Sequence, residues 1–261
     1  MRYVLRTSRF GAFILFSISL VACQQKSLLD LPSPSSVAAQ ETGAYPAVVK
    51  VILPGGRGLC SGTFISPRAV LTAAHCTLAA GTYTISGAFG TFTTSGRLNY
   101  GAGVVDDPND ISILYFDRDV ADRAEGQVAD LGSDVRAGEI VRLIGYGCNS
   151  LETRRGSGVK RTGTNMVYEV NDYIELLTPR SNGGLRGIIG ADNRAGACFG
   201  DSGGPAAETR DDGTLVVKGV AHTGGESEDA YVSDYVNLTR SDNRNFISQA
   251  NRDHDLGIAG L

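Results

Sequence analysis

Short apolar runs separated by glycine-rich turns follow one another along most of the chain. These runs are rich in β-branched residues and have the length of single strands. Strands are therefore predicted at residues 48–53, 62–65, 70–72, 111–116, 140–144 and 215–217. One helix is predicted at residues 242–252, where Phe246, Ile247 and Ala250 lie three or four positions apart.

The strands do not alternate with helices, which disfavours a doubly wound α/β sheet and favours an all-β fold of barrels or a sandwich. The 34 glycines among 261 residues also indicate a turn-rich β protein. An apolar content of 42% supports a packed core and argues against a disordered chain. The net charge of −4, without a long basic run, argues against nucleic acid as a partner.

The first 22 residues have the pattern of an export signal. Arg2, Arg6 and Arg9 precede an uncharged apolar stretch at residues 10–22. About a dozen apolar residues are too few to cross a ~30 Å hydrocarbon core as a helix, so a signal peptide is predicted rather than a membrane anchor.

The end of this stretch, Leu20-Val21-Ala22-Cys23, resembles the lipobox of bacterial lipoproteins. The resemblance implies removal of residues 1–22 and a lipid on Cys23, which would join the protein to a membrane. Gln24 then implies the outer membrane or cell surface, with the periplasm as another possibility. The alternative is an ordinary cleaved signal that leaves Cys23 as a spare thiol. Residues 23–42 are rich in Ser, Pro, Gln and Ala and are predicted to be a tether.

The segment Gly200-Asp201-Ser202-Gly203-Gly204-Pro205 carries the most specific chemical signal. A serine flanked by glycines on a tight turn exposes its hydroxyl, and nearby backbone N–H groups converge where a carbonyl oxygen becomes anionic. This arrangement favours acyl transfer over a plain glycine turn.

A serine nucleophile needs a base, and His75 is the candidate among three histidines. It follows a predicted strand and adjoins Cys76, whose nearest upstream partner is Cys60. A Cys60–Cys76 disulfide would close a loop of about sixteen residues, worth roughly 3 kcal/mol, and would fix the backbone beside the base. His222 and His254 lack such support.

A carboxylate must hold the imidazole in the right tautomer. Asp110 heads the predicted strand at residues 111–116, where it can be buried, whereas Asp106 and Asp107 are interpreted as solvated turn acids. The pattern calls for no metal and no cofactor.

Three segments in this order resemble the motifs of the chymotrypsin/trypsin-like serine peptidases: Thr72-Ala73-Ala74-His75-Cys76, Asn109-Asp110-Ile111 and the string around Ser202. The resemblance implies that His75 is the general base, Asp110 its orienting partner and Ser202 the nucleophile. The backbone N–H groups of Gly200 and Ser202 would form the oxyanion hole.

The same resemblance implies two antiparallel six-stranded β-barrels with a C-terminal helix and the site in the cleft between the barrels. The peptidase domain would span residues 43–252, with a barrel boundary near 120–130 and a tail at 253–261. Cys148–Cys198 is the implied second disulfide, because these two cysteines remain once Cys60–Cys76 and Cys23 are assigned. Animal relatives usually pair the cysteine at the place of Cys198 with one downstream of the nucleophile, and this chain has none there.

The resemblance also locates a substrate pocket. The pocket residues are predicted to be Gly196, Ala197, Phe199, Thr223 and Gly224. Gly196 stands where trypsin-type enzymes place an Asp, so a small or apolar substrate side chain is predicted. If an acidic side chain between Glu226 and Asp234 pointed into the pocket, it would restore a preference for basic substrate side chains. His222, on the strand expected to bind substrate backbone, is interpreted as a packed structural histidine, with substrate contact as the alternative.

Activation is left open. Zymogens of this family expose a new amino terminus whose ammonium pairs with the Asp before the nucleophile, here Asp201, but the usual Ile-Val-Gly-Gly string is absent. Because a buried unpaired carboxylate is costly, either cleavage before Val37 or an internal partner is expected.

An α/β-hydrolase elbow also fits Gly200-x-Ser202-x-Gly204, with Asp229 or Asp234 and then His254 completing the order Ser, acid, His. The missing βαβ periodicity argues against it. The preferred prediction is an exported, lipid-anchored, monomeric serine endopeptidase that acts on protein or peptide substrates. The alternative is a non-enzymatic surface lipoprotein that uses the same fold to bind a protein partner.

Overall fold

Fifteen strands and one helix occupy the described part of the chain. The computed structural model describes residues 39–104, 106–121, 127–149, 153–179, 194–227 and 230–261. The predicted signal peptide, Cys23 and the tether before residue 39 lie outside these ranges. In chain order the elements are β1 (Gln40–Glu41), β2 (Val48–Ile52), β3 (Leu59–Ser66), β4 (Ala69–Thr72), β5 (Tyr83–Gly87), β6 (Gly90–Thr94), β7 (Gly96–Asn99), β8 (Ser112–Tyr115), β9 (Asp130–Leu131), β10 (Ile140–Gly145), β11 (Arg161–Val170), β12 (Tyr173–Pro179), β13 (Pro205–Thr209), β14 (Leu215–Glu226), β15 (Ala230–Asn237) and α1 (Ser241–His254).

The first sheet is a half-barrel of seven antiparallel strands in the order β6-β5-β2-β3-β4-β8-β7. Its interior is filled by aliphatic and aromatic side chains, among them Val51, Phe64, Leu71 and Ile113, each at most 1% exposed. Full burial of each such side chain is worth about 1.5–3 kcal/mol, so these residues hold the half-barrel together.

The second sheet closes into a six-stranded barrel. Strands β10, β13, β14, β15 and β12 pair in that order, and β11 pairs with both β10 and β12. Closure leaves these six strands without an open edge. The predicted all-β architecture of two barrels is thus confirmed, and the first sheet is the more open of the two.

Helix α1 confirms the predicted C-terminal helix. Ile247 and Ala250 are buried and Phe246 is partly buried, as their spacing requires. The helix ends at Asp255, which adopts a left-handed conformation and donates its N–H to the Asn251 carbonyl. After the helix, Leu256 is fully buried in the core.

The seam between the two sheets is organised by Ser61 of β3. Its backbone N–H donates to the Ser202 carbonyl over 2.8 Å, and its hydroxyl donates to the Gly200 carbonyl over 2.9 Å. The same hydroxyl accepts the Tyr146 N–H. These bonds hold the Ser202 turn of the second barrel against the half-barrel. Among the described residues, no helix has both the length and the apolar character needed to span a bilayer.

Candidate active site

His75 and Asp110 form a doubly hydrogen-bonded pair. His75 lies on a short 3-10 turn, Ala74–Cys76, directly after β4, and Asp110 lies just before β8. The backbone N–H of His75 donates to Asp110 Oδ1 over 2.8 Å, and His75 Nδ1 lies 2.6 Å from Asp110 Oδ2. A carboxylate at Nδ1 fixes the tautomer that carries the proton there, which leaves the lone pair of Nε2 available as a base.

The environment of Asp110 keeps its carboxylate charged. The side chain is 0% exposed, and burial alone would raise its pKa. Hydrogen bonds from His222 and His75 outweigh burial and hold the pKa of Asp110 below its ordinary value. The carboxylate is therefore ionised at neutral pH.

His222 is the second imidazole on Asp110. Its Nδ1 also lies 2.6 Å from Asp110 Oδ2, and its ring stacks on that of Tyr173 with centroids 5.5 Å apart and planes 4° from parallel. The side chain is only 3% exposed, consistent with a packed histidine, although His222 also lines the cleft beside Ser202. The sequence gives no sign of its contact with Asp110, because the two residues are 112 positions apart.

The Ser202 turn depends on glycines. Gly200 and Gly203 have φ of 102° and 83°, in the left-handed region that glycine tolerates best. A Cβ on Gly203 would lie 2.1 Å from Thr72 Oγ1 and 2.3 Å from the Ser61 carbonyl oxygen. The turn therefore packs directly on β3 and β4, next to the turn that carries His75.

Two backbone donors in this turn point to no protein acceptor. Within the described ranges, the N–H groups of Gly200 and Ser202 have no hydrogen-bond partner, and neither has the Ser202 hydroxyl. The Ser202 carbonyl accepts the Ser61 N–H over 2.8 Å and lies 3.8 Å from Cys76 Sγ, which anchors the residue beside the His75 turn. Both predicted oxyanion donors are thus available to a ligand.

Two disulfides support this constellation, and both predicted pairings are confirmed. Cys60–Cys76, with Cα atoms 6.3 Å apart, joins β3 to the His75 turn. Cys148–Cys198, with Cα atoms 5.3 Å apart, joins the segment after β10 to the segment before Ser202. By the loop-entropy estimate they contribute roughly 3 and 4 kcal/mol.

Asp201 is partly buried, and its carboxylate accepts hydrogen bonds from two backbone N–H groups. Its Oδ1 accepts the Gly147 N–H over 2.8 Å, and its Oδ2 accepts the Cys198 N–H over 2.9 Å. Burial outweighs these bonds and the attraction of the Arg161 guanidinium, and raises the pKa of Asp201 to about 6. A cavity of about 20 Å³, lined in part by Ala39, lies beside the carboxylate, with room for about one water-sized group.

The cleft beside Ser202 has a volume of about 140 Å³. Four of the five predicted pocket residues line it, namely Ala197, Phe199, Thr223 and Gly224. The fifth, Gly196, lies instead on the cavity beside Asp201. A Cβ at Gly196 would lie 3.0 Å from Thr178 Oγ1 and 3.4 Å from both Ser233 Oγ and the Tyr231 ring.

Tyr231 lines the cleft and was not predicted from the sequence. Its hydroxyl would lie 2.2 Å from a Cβ at Gly224, so the glycine on β14 makes room for the tyrosine on β15. The position of Tyr231 follows from the antiparallel register of β14 and β15, which pairs Glu226 with Tyr231. The sequence of either strand alone does not reveal this pairing. Within the described ranges, no carboxylate lines the cleft. Glu228 and Asp229 lie outside them.

The described residues offer no ready set of metal ligands at this site. His75, Asp110 and His222 place ligand-type atoms within 4.8 Å of one another. Both Nδ1 atoms, however, lie at hydrogen-bond distance from the same Asp110 oxygen, which leaves no space for an ion between them. The cysteine sulfurs near His75 are joined to each other.

A half-barrel and a closed barrel with a His–Asp pair and a glycine-flanked serine at their seam define a chymotrypsin-like fold. The family model described as Trypsin matches residues 35–243, so the chain belongs to the trypsin family. Its enzyme class is therefore serine endopeptidase, a hydrolase.

Two solved structures show the same fold at low sequence identity. Neuropsin, described as a serine protease expressed in the limbic system of mouse brain, is 17% identical, with a TM-score of 0.58 over 81% of this chain and 98% of its own. A mutant of human heparin binding protein is 18% identical, with a TM-score of 0.60 over 86% of this chain and 100% of its own.

Proposed function

We propose that this protein hydrolyses peptide bonds through an acyl-enzyme formed on Ser202. The observation that carries the proposal is the pair of bonds from His75 to Asp110, because they leave His75 Nε2 as a free base beside the glycine turn. His75 is the general base, Asp110 the residue that orients it and Ser202 the nucleophile.

The reaction runs in two halves. His75 Nε2 accepts the Ser202 proton as the Ser202 oxygen attacks the scissile carbonyl carbon, and the negative oxygen is held by the free N–H groups of Gly200 and Ser202. The C–N bond then breaks as His75 returns the proton to the leaving amine. Water repeats the sequence on the acyl-enzyme. In both halves Asp110 stabilises the imidazolium.

The pocket favours a small, uncharged side chain on the carbonyl side of the scissile bond. Tyr231 narrows the cleft, and no carboxylate within the described ranges lines it to pair with Arg or Lys. A pocket that lacks an acid leaves a buried cationic side chain unpaired, which disfavours basic substrates.

We also infer that the enzyme needs no proteolytic activation. The donors that Asp201 requires are supplied internally by Gly147 and Cys198, with Arg161 as the nearby cation. N-terminal sequencing of active protein tests this inference. A start at residue 23 with full activity supports it, whereas activity that appears only after cleavage before Val37 contradicts it.

Export and lipid anchoring through Cys23 remain part of the proposal. The signal pattern of residues 1–22 supports export, and the two disulfides are typical of an oxidising compartment. Metabolic labelling with an alkynyl fatty acid is expected to mark the wild type but not Cys23→Ser. Equal labelling of both proteins contradicts the assignment of the lipid to Cys23.

The catalytic proposal is tested with a peptide library. The wild type is expected to cleave after small, uncharged residues, and Ser202→Ala is expected to leave the library intact. Ser133→Ala, a change in an exposed serine that does not line the cleft, serves as the matched control and is expected to cleave normally. A folded Ser202→Ala variant that cleaves at the wild-type rate contradicts the proposal, and a folded wild type without activity favours the non-enzymatic binding alternative.

A further inference from the structure

His222 and His75 place their Nδ1 atoms at one oxygen of Asp110. Each nitrogen lies 2.6 Å from Oδ2, while Oδ1 accepts the His75 backbone N–H. The two rings are 6.2 Å apart and tilted by 59°, so they approach the oxygen from different directions. A carboxylate oxygen has two lone-pair sites, and the two imidazoles occupy both of them.

The side chain of His222 is aimed at Asp110 by an irregularity in its strand. The register of β14 on β15 pairs Ala221 with Tyr235 and Thr223 with Asp234, so His222 is an extra residue opposite the step between these pairs. Such a bulge re-aims the side chain of the extra residue. Here it directs the ring from the closed barrel to Asp110, at the edge of the half-barrel.

The ring of His222 makes no other hydrogen bond to a described residue. Its Nε2 is buried and has no partner among the described residues, and one face stacks on Tyr173. The titratable groups that face His222 are Asp110, His75, Tyr173 and Asp234, with Asp234 attracting the imidazole electrostatically. Farther from the ring, the negative charges of Asp106, Asp107 and Asp172 add to burial in raising the pKa of Tyr173.

We propose that His222 is a positioning residue for the hydrolysis, holding Asp110 Oδ2 in the place from which it orients His75. This inference rests on the proposed function. It adds to the triad a positioning residue that acts through Asp110 rather than on the substrate. Without the His222 donor, Oδ2 keeps only the His75 ring as a partner, and the carboxylate is held less firmly in place. The barrier to forming the imidazolium then rises, while substrate binding is unchanged.

Two substitutions separate this role from simple packing. His222→Asn places an amide nitrogen near the position of Nδ1 but removes the ring that stacks on Tyr173. His222→Phe keeps a flat ring against Tyr173 but removes the donor. Hydrogen bonding and packing therefore predict opposite rankings for the two variants.

For a positioning role, His222→Asn is expected to keep kcat within about threefold, and His222→Phe is expected to lose roughly tenfold or more in kcat with little change in KM. In the Phe variant the acid limb of kcat/KM is expected to move to higher pH, because the Asp110–His75 pair takes up a proton more readily once its carboxylate has lost a donor. The acid limb of the Asn variant is expected to stay in place.

The reverse ranking, or equal losses in both variants, overturns the proposal. Circular dichroism and thermal unfolding establish that each variant is folded. If the Phe variant does not fold, proton NMR of the ¹⁵N-histidine-labelled wild type decides: two strongly downfield Nδ1–H resonances support the shared carboxylate, and a His222 Nδ1–H in the ordinary range overturns it.

This NMR arm requires no catalysis, so it remains decisive if the wild type proves inactive. Inactivity would then count against the proposed function, and the NMR result would still judge the contact between His222 and Asp110.

Discussion

Two hydrogen bonds join Asp110 to His75: Oδ1 accepts the backbone N–H, and Oδ2 accepts the N–H of ring Nδ1. The first bond fixes the position of the histidine backbone, and the second fixes the tautomer and tilt of its ring. A single buried carboxylate thus determines both where the base stands and which nitrogen is free.

Asp110→Asn is expected to lower kcat by about 10⁴-fold with little change in fold. The amide nitrogen faces Nδ1, so the ring takes the other tautomer and Nε2 carries the proton. Steady-state kinetics and thermal unfolding measure the two effects. Asp106→Asn is the matched control, since Asp106 is exposed and its positive φ of 68° suits Asn. Near-normal activity of Asp110→Asn contradicts the assigned role.

Asp201 is expected to make the protein more stable as the pH falls through about 6. The raised pKa means that the folded state binds a proton that the unfolded chain still lacks between about pH 6 and pH 4, so the free energy of unfolding rises on acidification in that window. Urea unfolding at intervals from pH 8 to about pH 4 measures the effect.

Asp201→Asn is expected to lose this part of the pH dependence, and Asp117→Asn, a change in an exposed aspartate, is expected to retain it. An unchanged pH profile in Asp201→Asn refutes the assignment of the rise to Asp201.

Tyr231→Ala is expected to widen the substrate preference. Removing the ring opens space above Gly196 and beside Gly224. The ratio of kcat/KM for a Phe substrate to that for an Ala substrate is expected to rise by roughly tenfold or more. Tyr168→Ala, a change in an exposed tyrosine on β11, is expected to leave the ratio unchanged. If Tyr231→Ala also leaves it unchanged, the ring does not limit the pocket.

Gly203→Ala is expected to damage both stability and activity. The new Cβ meets Thr72 and Ser61 at 2.1–2.3 Å, which forces the Ser202 turn away from β4. Gly213→Ala is a close match, because φ is 87° there and no atom lies within 4 Å of the new Cβ. Its cost is the left-handed strain alone, about 1–2 kcal/mol.

Gly203→Ala is expected to exceed that cost by about 1–3 kcal/mol and to lose roughly 10²-fold or more in kcat/KM. Chemical denaturation and steady-state kinetics compare the variants, and equal costs for the two would disprove the packing argument.

Much of the fold was predictable from local pattern. Every predicted strand falls on an observed one, because runs such as β4 and β8 combine β-branched residues with buried positions. Nine of the described strands were missed, among them β5, β6 and β11, in which threonine and glycine dilute the apolar alternation. The helix was predictable because Phe246, Ile247 and Ala250 repeat at helical spacing on its packed face.

The site divides in the same way. His75 and Asp110 stand in local motifs that are specific enough to read directly, and their pairing is present in the structure. The contact of His222 with Asp110 depends on a bulge and on the docking of two sheets, and the position of Tyr231 depends on strand register. Neither feature has a local signature, so neither was available from sequence.

Covalent labelling with a fluorophosphonate probe, followed by peptide mapping, tests the central claim most directly. The account predicts one modified serine, Ser202, in the folded wild type, no label in Ser202→Ala and much slower labelling in His75→Ala. A folded wild type that takes no label, or a label that persists in Ser202→Ala, would contradict the claim that Ser202 is the activated nucleophile.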